Sequence, residues 1–168
     1  MFERGKVNLF LGAVMVMALL LCGGRYAWAA QEGDYVYTVE NGAARITGYR
    51  GAGGSITIPT VLAGVKVSSI GSIAFKNCEG LTSVTIPEGI TRIECEAFAF
   101  CNNLTSISLP ASVSTIEISA FGYCSNLTSI TVDNANLTYK CMDGVLYNKS
   151  GTDLLKYPGG LSYSNAQI

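Results

Sequence analysis

The chain has 168 residues, 49% of them hydrophobic, with six cysteines, no histidine and a formal net charge of −1. That length suits one domain. Without histidine, neither a Ser-His-Asp nor a Cys-His catalytic arrangement is available, and without a basic stripe the electrostatic footprint of nucleic-acid binding is missing.

The N-terminus carries Arg4 and Lys6, an apolar run from Val7 to Leu21, and then Ala27-Trp28-Ala29. A charged start, a short apolar core and an A-x-A exit mark residues 1–29 as a secretory signal peptide, with cleavage after Ala29. The run is shorter than the roughly 20 residues that span a bilayer, so no membrane span is expected after cleavage. Cys22 stands directly after Leu21, where an acylation signal wants a small residue, so lipid attachment is the lesser reading. The mature part keeps eight basic and eleven acidic residues, a net charge of −3.

Residues 30–54 read as an N-terminal cap and linker. In "YVYTVENGAARITGY" two alternating runs flank Asn41-Gly42, a strong hairpin signal because a type I′ turn needs positive φ. The hairpin is expected to cover the first coil of a repeat array that begins at residue 55, as terminal units must in a solenoid. "GYRGAGGS" (Gly48 to Ser55) is glycine-rich, but a strand comes after it and no helix, so the context of a phosphate-binding loop is absent.

From 55 to 133 the chain repeats itself with a period of 23. Phe75, Phe98 and Phe121 coincide, as do Cys78, Cys101 and Cys124, then Leu81, Leu104 and Leu127, and Val84, Ile107 and Ile130. Ile86, Leu109 and Val132 make the next column, and Ala74, Ala97 and Ala120 close the units. A fixed period of 20 to 50 residues is the signature of a solenoid. In "LTSVTIP" Val84 and Ile86 stand two apart and face inward, while Ser83 and Thr85 face out. Pro87 ends the strand, having no N–H for a ladder, and "ITRI" makes a short return with Ile90 and Ile93 inward. "SITIPTVLAGVKVSSIGSIAF" obeys the same grammar with an insertion, with Ile56 and Ile58 in the strand columns. No stretch holds the 3.6-residue period of a long helix. A unit of 23 residues cannot bury enough apolar surface to order itself, so the coils must stack.

After Asp133 the period fails. Residues 134–160 read as a C-terminal hairpin, Val145-Leu146-Tyr147 and Leu154-Leu155-Lys156-Tyr157 flanking "NKSGTD". The tail 161–168, "LSYSNAQI", has no core pattern.

Among candidate sites, the cysteine column is expected to be a stack of small apolar fillers. Coils one strand spacing apart would also allow disulfides, so the expectation is that most mature thiols stay free, with Cys95 and Cys141 outside the column. Paired C-x-x-C spacing is missing, so no metal site is expected. Glu94 and Glu96 fall in a turn on the outer face and read as solvated. "NLT" at Asn103, Asn126 and Asn136 and "NKS" at Asn148 match the glycosylation acceptor, but two of them arise simply from the repeat. The candidate binding residues are two outward columns of one sheet face, Ser83, Ser106 and Ser129, and Thr85, Ser108 and Thr131. They offer a regular hydrogen-bonding surface without a large aromatic anchor, which points to weak or multivalent affinity.

With "AFxxCxxLTSVTIPEGITRIE", "GVKVSSIGSIAF", "YTVENGAARITGY" and "DGVLYNKSGTDLLKYP", the chain resembles the BspA-like leucine-rich-repeat family over roughly Asp34 to Gly160. The resemblance implies a right-handed leucine-rich-repeat solenoid, mainly β, in exported or surface proteins used for adhesion and protein binding. The reading is therefore a non-catalytic, secreted or cell-surface module with a protein or glycan partner on the sheet face, no cofactor and no nucleic acid. The alternative is a structural spacer or a truncated remnant of a longer surface adhesin.

Overall fold

The computed structural model describes residues 29–156, so the signal-peptide segment before Ala29 and the tail 161–168 lie outside the described residues. Fourteen strands and no helix make up that span. They begin with β1 (Ala29–Glu32), β2 (Tyr35–Glu40) and β3 (Ala43–Tyr49). β2 and β3 pair antiparallel about the Asn41-Gly42 turn, where both residues have the positive φ that such a turn requires. β1 adds a third antiparallel strand that the alternation did not reveal.

The array has three walls. β4 (Gly54–Thr57), β7 (Leu81–Thr85), β9 (Ser106–Leu109) and β11 (Ser129–Val132) form a parallel four-stranded sheet, one strand per coil, so the solenoid makes about four turns. Register is set by the repeat: Val84 pairs with Ile107, and Ile107 with Ile130, 23 residues apart each time. β6 (Val65–Ile70), β8 (Arg92–Ile93) and β10 (Thr115–Ile116) are the return strands, also parallel. β3 joins this second sheet beside β6, so the N-terminal hairpin continues the return wall. The insertion in the early coil folds as a small antiparallel pair between β5 (Val61–Leu62) and β6, closed by Ala63 and Gly64 at positive φ.

The third wall is a run of turns. Its N–H groups alternate in direction. Those of Ala74, Lys76 and Cys78 bond three residues back within the coil, while those of Ile73, Phe75 and Asn77 reach the carbonyls of Cys95, Ala97 and Ala99 in the next coil. The pattern repeats one coil on, from Glu96, Phe98 and Phe100 to Ile118, Ala120 and Gly122. This alternation puts Ile73, Asn77, Glu96, Phe100, Ser119 and Tyr123 at φ between 54° and 61°, a left-handed region that costs L-residues about 1–2 kcal/mol each. Backbone groups of the wall are thereby directed to partners in their own coil or the next.

Between the walls the repeat columns pile up. Phe75, Phe98 and Phe121 form one row, with ring centroids 4.8 and 5.8 Å apart and planes within 25°. Tyr35 and Tyr49 of the N-terminal hairpin pack on the free face of Phe75, at 6.4 and 5.1 Å. Leu81, Leu104, Leu127, Ile90 and Ile93 are fully buried around the row. The linker is also packed. A Cβ at Gly53 would meet the Gly80 carbonyl carbon at 2.1 Å, and one at Gly80 would meet the Ala52 oxygen at 2.0 Å. Only glycine lets these two backbones approach so closely.

Beyond β11 the array ends in an antiparallel three-stranded sheet of β12 (Tyr139–Met142), β13 (Val145–Asn148) and β14 (Leu154–Lys156). The sequence indicated the β13–β14 hairpin. β12 went unseen because its run is four residues long and lies beyond the broken repeat.

The stacked row and the turn wall can each be tested by one substitution. Phe98→Ala removes a fully buried ring from the middle of the row and is expected to cost about 3–5 kcal/mol by leaving a cavity. An unchanged midpoint in denaturant unfolding would take Phe98 out of the core. Ile73→Gly relieves a β-branched residue at φ 57° that is 58% exposed. After the entropic cost of glycine it is expected to raise stability by about 0.5–1 kcal/mol. A drop in the same measurement would show that the left-handed backbone is not strained.

Candidate functional site: the hydroxyl-bearing sheet face

The four-stranded sheet presents its alternate residues to solvent because the intervening Val84, Ile86, Ile107, Leu109 and Ile130 are drawn into the core. Parallel register then aligns chemically similar residues across the face. Ser83, Ser106 and Ser129 form one row, and Thr85, Ser108 and Thr131 the other, as the repeat indicates. The rows extend one strand further than expected, to Ser55 beside Ser83 and Thr57 beside Thr85. The signal for these two was present, since Ile56 and Ile58 already mark β4 as a strand of the same pattern.

The two rows differ chemically. In the inner row Ser83, Ser106 and Ser129 are half-buried, and the Ser106 hydroxyl donates to Ser83 Oγ at 3.0 Å. Part of that row's hydrogen-bonding capacity is spent within the sheet. In the outer row Thr57, Thr85 and Thr131 are exposed and Ser108 is half-buried, and their hydroxyls have no hydrogen-bond partner among the described residues. Ser108 and Thr131 of the outer row line a groove of about 570 Å³ at the C-terminal ends of the strands, together with Ile86, Glu88, Pro110 and Asp133. Glu88 is held by the N–H groups of Ala111 and Ser112 at 2.8 and 3.2 Å, so its carboxylate braces the groove wall.

The remaining polar residues support the coils. Asn103 and Asn126 donate to the carbonyls of Glu79 and Asn102 in the preceding coil, at 2.8 and 2.7 Å. Thr105 and Thr128 do the same to Thr82 and Thr105. Asn136 is fully buried and donates to Pro110 and Val113 while accepting from the N–H groups of Thr138 and Tyr139. The "NLT" motif is thus a device for capturing backbone carbonyls. Glu94 is not the solvated residue that its turn position implies. Its carboxylate takes a two-pronged contact from Arg45 at 2.7 and 2.5 Å and also bonds Ser72. The Arg45 guanidinium holds it below the ordinary glutamate range, against the opposing effect of burial. Glu96 pairs with Lys76, and Arg92 with Glu117.

The cysteine column is buried at Cys101 and Cys124 and half-buried at Cys78, and no disulfide joins the described cysteines. A polar reason accompanies the apolar one: the thiols of Cys101 and Cys124 donate to the carbonyls of Phe75 and Phe98, at 3.0 and 3.1 Å. The neighbouring sulfur of Cys124, and then burial, hold the Cys101 thiol above the ordinary thiol range. Outside the column, Cys141 donates to Ile130 O and is likewise raised by burial. Among the described residues no group of three His, Cys, Asp or Glu side chains is arranged to hold a metal ion.

The BspA-type leucine-rich repeat model matches residues 54–160 in six copies, more than half of the chain. The chain belongs to this family. It is similar to the leucine-rich repeat protein TpLRR of T. pallidum, with 29% identity and a TM-score of 0.56, covering 58% of this chain and 46% of that one. A leucine-rich repeat protein of Bacteroides capillosus is 24% identical with a TM-score of 0.48, covering 63% of this chain and 99% of that one. No curated protein matches the sequence significantly. The chain spans about half of the T. pallidum protein's length.

The thiol arrangement gives a chemical prediction. In native, unreduced protein, iodoacetamide is expected to label neither Cys101 nor Cys124 during a period in which half-buried Cys78, Cys95 and Cys141 react, and all five in denaturant. Mass spectrometry finding thiols blocked in denaturant before alkylation would show disulfides instead.

Proposed function

We propose that the protein is a secreted or cell-surface binding module that engages a protein or glycan through the sheet face, without catalysis. The signal-like N-terminus supports export. Membership of a repeat family whose scaffolds bind through extended faces supports the binding role. The observation that carries the reading is the outer row of hydroxyls, Thr57, Thr85, Ser108 and Thr131, held in register without hydrogen-bond partners among the described residues, with Ser108 and Thr131 lining the groove. Ser83, Ser106 and Ser129 form its inner border. Rows of hydroxyls spaced by one strand suit a partner with its own repeating donors and acceptors, such as an extended peptide edge or a glycan chain. Each contact contributes modestly, so affinity accumulates across the rows or across several copies.

The test is a pair of arginine substitutions on the outer row, Thr85→Arg with Thr131→Arg. Both sites are exposed, so the fold is expected to persist. Saturable binding of the mature protein to immobilised extracellular-matrix proteins or to a glycan array is expected to fall at least about tenfold, on the scale of a few lost hydrogen bonds. Absence of saturable binding by the unsubstituted protein, or binding that the two arginines leave unchanged, would favour a structural spacer.

A further inference from the structure

The N-terminal hairpin is joined to the array by few attachments, and the most heavily bonded polar one is a single carboxylate. β3 carries Arg45, whose Nε and Nη2 donate to the two oxygens of Glu94 at 2.7 and 2.5 Å. The N–H and hydroxyl of Ser72 donate to the same carboxylate at 3.0 and 3.1 Å. Glu94 thus receives four hydrogen bonds and ties together the hairpin, the turn after β6 and the second coil. Both ionic side chains are sheltered, 29% exposed at Arg45 and 15% at Glu94, so the pair holds better than one lying in open water.

The remaining attachments are modest. β3 pairs with β6 over three residues, with a register shift between Ala44 and Arg45, and the Gly71 N–H adds a bond to the Ile46 carbonyl. Glu32 accepts the Ala63 N–H, and Tyr35 and Tyr49 rest on Phe75. Within itself the hairpin is bonded more fully. β2 pairs with β3 over six residues and with β1 over four, and the Arg50 N–H closes on the Asp34 carbonyl at 2.8 Å. A unit held more firmly within than to its neighbour opens as one piece. The coils beneath keep their own ladder, since β6, β8 and β10 pair with one another.

We infer that the hairpin β1–β3 is an acid-released lid on the N-terminal end of the solenoid, latched by Glu94. Protonating this one carboxylate frees the hairpin to swing off Phe75 and the edge of β6, while the stacked coils stay closed. The direction follows from the bonds. A protonated Glu94 loses its charge and turns one acceptor oxygen into a donor, opposite a guanidinium that can only donate. With the lid shut, Arg45 holds the Glu94 carboxyl below the ordinary glutamate range, against the opposing effect of burial. With the lid open that hold is gone, so the open state binds the proton more readily. The latch is therefore intact above the ordinary glutamate range and is lost as pH falls through the lowered value of Glu94. Glu40, at the end of β2, and Glu117, in the next coil and paired with Arg92, also act on Arg45 through space. Glu96 is turned to Lys76.

Hydrogen exchange of the mature protein between pH 7 and pH 3 tests this, read by mass spectrometry on segments 35–49 and 104–132 and corrected for the intrinsic pH dependence of amides. In the unsubstituted protein the opening of 35–49 is expected to rise by up to about tenfold per pH unit, the slope of one proton, once the pH is below about 4. Segment 104–132 keeps its protection. Glu94→Gln preserves the side chain's size and an acceptor for Ser72. It is expected to open 35–49 at least about tenfold more often at pH 7 and to flatten the acid dependence. Arg45→Gln cuts the same latch from the hairpin side and is expected to do likewise, so a misfolded Glu94 variant does not shield the inference. Protection of 35–49 that acid leaves unchanged would overturn it. So would equal loss in both segments, which would mean that the array unfolds with the hairpin. An acid dependence that persists in Glu94→Gln would overturn it in favour of another carboxylate such as Glu32.

Discussion

Everything in this molecule depends on one constraint: a coil of 23 residues must place its backbone donors and its apolar columns directly over those of its neighbour. A lone coil satisfies neither. Its front strand, return strand and turn wall each have hydrogen-bonding groups pointing along the axis, and its phenylalanine has two bare faces. Stacking satisfies all of these together, which is why Phe75, Phe98 and Phe121 stand in a row and why parallel register is identical in two sheets. The turn wall shows how strong the demand is. Six residues other than glycine accept a left-handed backbone there, and four of them, Ile73, Asn77, Glu96 and Phe100, give their N–H groups to the next coil.

The same constraint produces the candidate site. Once the core claims every second residue of a strand, the residues between are forced outward, and the repeat aligns them into rows. No residue of the face needs to be placed individually. The face is consequently regular and chemically uniform, which is what the proposed recognition of an extended partner by many small contacts requires. The polar residues elsewhere are consumed by structure: asparagines and threonines bond backbone carbonyls of the preceding coil, and Glu94 ties the return wall to Arg45 of the hairpin. What separates the outer hydroxyl row from these is that its groups have no partner among the described residues.

Much of this was legible in the sequence, because a period of 23 whose apolar columns recur in three successive units encodes both strand register and burial. The inward set and the outward rows come from spacing alone, and the hairpin at Asn41-Gly42 from alternation together with the turn chemistry of that pair. Other features were not legible. The ladder of the turn wall depends on backbone dihedrals that Ile73 and Phe100 do not advertise, since neither residue type favours positive φ. Glu94 looked solvated because its partner lies 49 residues away in the hairpin, outside any repeat. β1 and β12 are short and non-repetitive, so neither alternation nor period marked them. The cysteine column looked apolar from its position, and the thiol-to-carbonyl bonds emerge only once the preceding coil is in place.

For the stacked solenoid to hold, residues 23 apart in the chain must be nearest neighbours in space. Nuclear Overhauser contacts measure that directly in solution. Stacked coils predict cross-peaks from the Phe98 ring to both the Phe75 and Phe121 rings, together with successive rungs linking Val84, Ile107 and Ile130. A spectrum in which Phe98 touches neither ring, with no 23-residue contacts along those strands, would contradict it.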